Sequence, residues 1–168
     1  MMKTQLIKIA TAECFTHGIV AREIHAFARG YPLNHPWQVN SEHYHLSLTA
    51  GMFIPTLSGV RDLLMIDPLP PVESPDDIKI YDQEQDLAMA IKMATEVRRI
   101  TGAQIGIGTS AGIGTGCIAL VSDGITITDT TEIHADLRTS NPSKIMERQK
   151  SGVSHALLLL ELALQKYY

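Results

Sequence analysis

The stretch from residue 5 to residue 30 constrains this chain more than any other, because it reads as strand, tight turn and helix in immediate succession. Leu6, Ile7, Ile9 and Ala10 lie among small or polar neighbours, a β-prone run too short for a useful helix. After a turn from Cys14 to Gly18, Val20, Ile24 and Phe27 recur at helical spacing. Arg22, Glu23 and Arg29 lie opposite, and Gly30 and Pro32 stop the run. Such a unit points to an α/β sheet in which the first strand is interior.

The remaining chain continues the alternation. Pro32, Asn34 and Pro36 mark a loop from Tyr31 to Asn40, Leu46 to Ile54 resumes β character, and a short helix is expected from Ser58 to Met65. The segment DPLPPVESPDD carries four of the eight prolines and reads as a surface connection. Asp82 and Gln85 have capping-box spacing for a helix that runs through Leu87, Ala90, Ile91, Ala94 and Val97 to Gly102. A strand then enters the glycine-rich segment IGIGTSAGIGTG, read as a loop. GCIALVS and ITITD follow as two strands paired antiparallel across Asp123-Gly124. Asn141-Pro142 starts the last helix, whose run HALLLLELAL is either deeply buried or part of a subunit interface. The expected fold is a single α/β domain over 1–168 with an open mixed sheet flanked by helices.

With 168 residues, one domain can bury roughly 70% of the surface its unfolded chain exposes. A net charge of −4 with dispersed Lys and Arg offers no basic stripe for phosphates, which argues against nucleic acid as a partner. Charged residues make up only 19%, so more surface than usual is neutral or covered, and a homo-oligomer is one way to cover it. The two cysteines, Cys14 and Cys117, form no disulfide or zinc pattern and fit a reducing, cytoplasmic setting. Glu13 interrupts the N-terminal apolar run before a signal-peptide core or membrane span forms, so no membrane partner is expected. The doubled Met1 and Met2 reflect either a start-site choice or an addition.

The turn AECFTHG lies where a strand end feeds a helix, the edge at which α/β sheets bind ligands. A helix N-terminus favours a thiolate, so Cys14 is a candidate nucleophile and His17 a candidate orienting group or base. The alternative has Cys14 as a small buried hydrophobe, Thr16 as helix cap and His17 facing solvent. Glu13 either binds ligand hydroxyls or accepts hydrogen bonds from turn amides.

In IGIGTSAGIGTG, the glycines with Thr109, Ser110 and Thr115 match neither the dinucleotide fingerprint in context nor the P-loop. Exposed amides and hydroxyls there suit a small phosphate or carboxylate. Equally, the glycines serve positive φ and close strand packing. His43 and His45 alternate near His35, but two ligands do not make a site, so no metal and no cofactor is assigned. Asp136, Arg138 and Arg148 either grip phosphate or form surface salt bridges, and Cys117 belongs to the core.

Taken in order, ATAECFTHGIVAREIHAF, IYDQEQDLAMAIKMA, GAQIGIGTSAGIGTGCIAL and the arginine of ERQKSGVSHALLLL resemble the C-terminal domain of the CinA family. That domain is a nicotinamide mononucleotide amidase with an α/β fold. The resemblance places Glu13, Thr16 and Gly18 on the Glu, Thr and second Gly of a motif close to AESCTGG, and Cys14 on its catalytic serine. Its TGIAGP loop falls on Thr109 to Gly114, and its late arginine on Arg148. The family's tyrosine and catalytic lysine fall on Pro55 and Val60, and no lysine occurs between Lys8 and Lys79, so the amidase mechanism does not carry over. Over the whole chain, including FIPTLSGV, the sequence is similar to an archaeal family of uncharacterised proteins.

These readings give three expectations. The first is a protein that holds a small anionic metabolite, nucleotide-like or otherwise phosphorylated, between the two segments through Glu13, Thr16, Gly18, Thr109, Ser110, Gly112, Gly114 and Arg148. The second is a hydrolase with Cys14 as nucleophile and His17 as base, acting on an amide or glycosidic-type bond. The third is a structural or interaction subunit.

Overall fold

A computed structural model describes residues 5–168; the doubled methionine lies outside the described residues. The chain opens with β1 (Ile7–Glu13), α1 (Ile19–Ala28), β2 (Leu46–Phe53) and α2 (Leu57–Leu64). It continues with α3 (Gln83–Thr101), β3 (Ile105–Ser110), β4 (Ile113–Gly114), β5 (Cys117–Ser122), β6 (Ile125–Thr130), β7 (Ala135–Asp136) and α4 (Pro142–Tyr167). The five-stranded sheet has the order β2-β1-β3-β5-β6. β1 runs parallel to both β2 and β3, and the β3-β5 and β5-β6 pairs are antiparallel. The fold is therefore an α/β domain with a mixed sheet, and its first strand is interior.

Two faces follow from the strand alternation. Ile7 and Ile9 of β1, Ile105 and Ile107 of β3, and Ile118 and Leu120 of β5 pack against α1 and α4. Ala10 and Ala12, on the other side of β1, pack with α2 and α3. The α3-facing side is built from small residues, and that determines what the glycine-rich segment is. Its first half is a central strand buried along its whole length, not a loop. A Cβ on Gly108 would stand 2.1 Å from the Ala90 carbonyl oxygen and 2.6 Å from the Ala94 nitrogen, so only glycine lets the α3 backbone lie this close.

The helix boundaries follow their local chemistry. Asp82 accepts from the Gln85 amide and the Gln85 side chain returns to the Asp82 amide, while Gly102 ends α3 in a left-handed conformation. Asn141 caps α4 by accepting from the Lys144 amide. Along α4, Leu157, Leu160 and Leu164 are fully buried against the sheet, whereas Leu158 and Leu162 are exposed. No helix among the described residues is long and apolar enough to cross a membrane.

Candidate functional site

β1 and β3 are parallel neighbours, so their carboxyl ends place the Cys14 turn beside Ser110 and Ala111. The turn is held from inside. Glu13, fully buried, accepts from the Thr11 and Thr16 hydroxyls and from the Val20 and Ala21 amides. Its carboxylate thus satisfies two first-turn amides of α1 that Gly18, at the N-cap, cannot reach. Burial raises the Glu13 carboxyl above its ordinary value, and the four hydrogen bonds oppose that shift. Thr16 bonds to Glu13 and shares a hydrogen bond with the Thr109 hydroxyl at 2.9 Å. His17 and Gly18 both have positive φ, 53° and 78°, which turns the chain sharply into α1.

The segment after β3 is fastened from two sides. Asp86, on α3 and fully buried, accepts from the Ser110 hydroxyl and the Gly112 amide, each at 2.7 Å. Arg148 of α4 donates to the carbonyls of Gly114 and Ala135 at 2.8 Å and of Gly112 at 3.2 Å. It also donates to the Ala111 carbonyl at 3.4 Å, while its Nε is buried without a partner among the described residues. Burial pushes the Asp86 carboxyl up to about 6 against the pull of these hydrogen bonds and of Arg148 and Lys79. Ser110, Gly112 and Gly114 are therefore engaged within the protein.

Cys14, only 8% exposed, opens into a cavity of about 200 Å³ that is also lined by His17, Phe53, Ala111, Arg148 and Gln149. Glu13, Thr16, Thr109, Ser110, Gly112 and Gly114 are buried and not part of the lining, Gly18 is half-buried outside it, and Cys14, His17 and Arg148 belong to it. His17 Nδ1 lies 2.5 Å from the Gln149 amide nitrogen, and partial desolvation holds the ring below its ordinary value. A neutral ring that accepts at Nδ1 carries its proton on Nε2 and presents a donor to the cavity. Cys117 is inert by contrast: burial, with Asp86 nearby, pushes its thiol up to about 12.

Three residues of this region escaped the sequence reading. Asp86 occupies the buried stripe of α3 with Ala90, Met93 and Val97, and a charge on an apolar stripe is the signal that marks it. Gln149 likewise interrupts the buried stripe of α4. Lys79 is 1% exposed and donates to the Ile54 carbonyl at the end of β2. His35 is paired with Glu161 at 2.6 Å, and His43 and His45 are exposed. Among the described residues no group of three His, Cys, Asp or Glu side chains is placed to hold a metal ion.

The family model described as FeGP cofactor biosynthesis protein HcgF matches residues 6–164. The chain belongs to the HcgF family. It is 53% identical over 156 residues to a UPF0254 protein of Methanothermobacter thermautotrophicus (strain Winter), covering 93% of this chain and 94% of that relative. A UPF0254 protein of Methanocorpusculum labreanum is 54% identical over 153 residues, covering 91% and 89%. Among solved structures, this HcgF-family chain is similar to the competence or damage-inducible protein from Enterobacter asburiae. The TM-score is 0.59 and the identity 19%, over 94% of this chain and 87% of that one. A CinA superfamily protein from Enterobacter cloacae gives a TM-score of 0.59 at 18% identity, covering 94% and 82%. At such identities the likeness concerns the fold alone.

Proposed function

We propose that this chain acts in FeGP cofactor biosynthesis by holding a small anionic, nucleotide-like intermediate with its reactive end in the Cys14 cavity. The observation that carries the reading is the placement of Cys14, His17 and Arg148 around one cavity at the carboxyl edge of the sheet. At about 200 Å³ the cavity is smaller than the roughly 300–1,000 Å³ typical of ligand pockets, so it takes one ring or acyl group rather than a whole nucleotide. A thermal-shift screen of nucleotides and pyridine mononucleotides tests the reading. A ligand at a hundredfold its dissociation constant adds ~2.7 kcal/mol of stability. Absence of any stabilisation across the screen overturns the proposal.

A second reading is favoured by the thiol itself, which lines the cavity, while no lysine is part of that lining among the described residues. A cysteine needs less activation than a serine, so Cys14 can act without the amidase lysine. Its thiolate adds to a carbonyl carbon, a C–S bond forms, and the leaving amine or alcohol departs with a proton. Water then cleaves the thioester and restores the thiol. Intact-mass detection of an acyl adduct, absent in Cys14→Ser, is the expected result. Full turnover by Cys14→Ser on a discovered substrate excludes this reading.

A further inference from the structure

The last strand of the sheet, β6, pairs with β5 on one side and with no strand on the other among the described residues. The turn at Asp123-Gly124 sets its register, in which Ser122 pairs with Ile125, Leu120 with Ile127 and Ile118 with Asp129. The pair flanking a two-residue turn exchanges both backbone hydrogen bonds, and bonded pairs alternate from there. Ile125, Ile127 and Asp129 therefore turn their amides and carbonyls toward β5, while those of Thr126 and Thr128 line the open edge. The Thr130 amide, also outward, donates to the Asp129 carboxylate at 2.8 Å.

Free edges are usually guarded by lysine, proline or a bulge. β6 reads ITITDT and pairs with β5 without a register shift, so it has none of these. The opposite edge strand, β2, pairs with β1 across a register shift.

The α4 side of the β6 edge is apolar. Leu158 and Leu162, 44% and 60% exposed, stand one turn apart on α4. Leu162 also lines a groove of about 620 Å³ along β6 with Leu159, Ile127 and Tyr167. Charge is divided between the ends of this surface. His155 bonds Asp129 at 2.7 Å and Glu132 at 3.0 Å, beyond the middle of β6, whereas the Tyr168 hydroxyl meets Ser122 at 2.5 Å, beside its start. α4 therefore runs antiparallel to β6, with the two carboxylates at one end and Lys166 at the other. Lys166 lines the groove and has no carboxylate within 4 Å among the described residues.

We propose that β6 is a dimerisation edge: two copies of this chain pair their β6 strands antiparallel about a two-fold axis at Ile127, which joins two five-stranded sheets into one. The pairing sets Thr126 opposite Thr128 of the partner subunit, so the open amides and carbonyls satisfy one another. It also reverses α4, which brings Lys166 to the level of Asp129 and Glu132 of the partner subunit and lets Leu158 and Leu162 cover the partner's groove. A second copy thus supplies everything this surface leaves unmatched: a bare strand edge, exposed leucines and carboxylates for Lys166. An axis at Thr128 would hold the two Asp129 carboxylates ~7 Å apart along the strands rather than ~13 Å, and the closer like charges repel more. None of the groove residues lines the Cys14 cavity.

Sedimentation velocity on the full chain over a range of concentrations tests the proposal, and the parent protein sediments as a dimer. Thr128→Pro removes an amide that β5 does not use, so the subunit keeps its circular dichroism while the dimer dissociation constant rises at least tenfold. Leu162→Glu, at an exposed position, gives the same loss, and it decides alone if the proline variant is misfolded. Ile127→Cys stands on the axis, where Cα atoms of an antiparallel pair without hydrogen bonds lie about 4.5 Å apart, so mild oxidation links two subunits; Thr126→Cys gives no such link. A monomer at every concentration overturns the proposal and leaves the edge to a different chain. A dimer that both Thr128→Pro and Leu162→Glu leave at parental affinity overturns it too, and puts the contact on another face. A dimer weakened by both substitutions that Ile127→Cys fails to link overturns the strand pairing.

Discussion

The backbone amide of Cys14 donates to both the carbonyl and the hydroxyl of Thr109, each at 3.0 Å. The turn that carries the thiol is thereby fastened to the end of β3, and the same hydroxyl reaches Thr16. Thiol position, helix entry and glycine-rich strand form one hydrogen-bonded unit.

Thr109→Val keeps the shape and removes the hydroxyl from this unit. The Cys14 amide retains its carbonyl acceptor, so the chain still folds. The loss of a buried side-chain hydrogen bond lowers stability by about 1–3 kcal/mol in urea unfolding. Hydrogen exchange at the Cys14 amide is faster than in the parent protein, and unchanged exchange would show that the hydroxyl does not brace the turn.

Asp86 gives the protein an acid-side pH dependence. Its folded value of about 6 lies above its ordinary 3.8, so between these values the folded state binds more protons than the unfolded one. This contribution to stability is therefore greatest below pH 4 and declines as pH rises through 6, a difference of about 3 kcal/mol. Glu13 shifts in the same direction. Asp86→Asn flattens most of the slope in unfolding free energy between pH 4 and 6.5, leaving the Glu13 part; an unaltered slope would assign it elsewhere.

Arg148→Met removes the donor shared by the Gly112, Gly114 and Ala135 carbonyls. Buried acceptors left unpaired cost about 1–3 kcal/mol each, and partial rewetting limits the sum. The expected loss is about 3 kcal/mol or more, with faster amide exchange in 111–116. A loss below about 1 kcal/mol would mean that the arginine is dispensable to the loop.

Gly108→Ala sets a methyl against the α3 backbone, which cannot move aside as a flexible side chain could. Overpacking of this kind costs typically 1–3 kcal/mol and occasionally more. Chemical denaturation places this variant at or beyond the upper end. A wild-type midpoint would show that α3 shifts freely on the sheet.

Several elements were legible because their information is local. The Asp82-Gln85 capping box, the Asn141-Pro142 start of α4 and the Asp123-Gly124 hairpin all formed as read, since each depends on bonds within a few residues. The glycine-rich segment was misread as a loop. Its glycines answer to the α3 backbone, which no window of sequence around 106–116 contains. Asp86 and Gln149 were missed for a related reason: their partners lie 24 to 132 residues away.

The sequence by itself determined the strand-turn-helix opening, the α/β class and Cys14 at the sheet edge, because periodicity and capping act over short stretches. Only the tertiary structure decided which groups face the cavity. Glu13, Thr16 and Thr109 turn inward to satisfy buried amides and hydroxyls, because a buried polar group without a partner is costly. Cys14, His17 and Gln149 are brought together only when α4 closes over the turn, 132 residues after His17 in the chain.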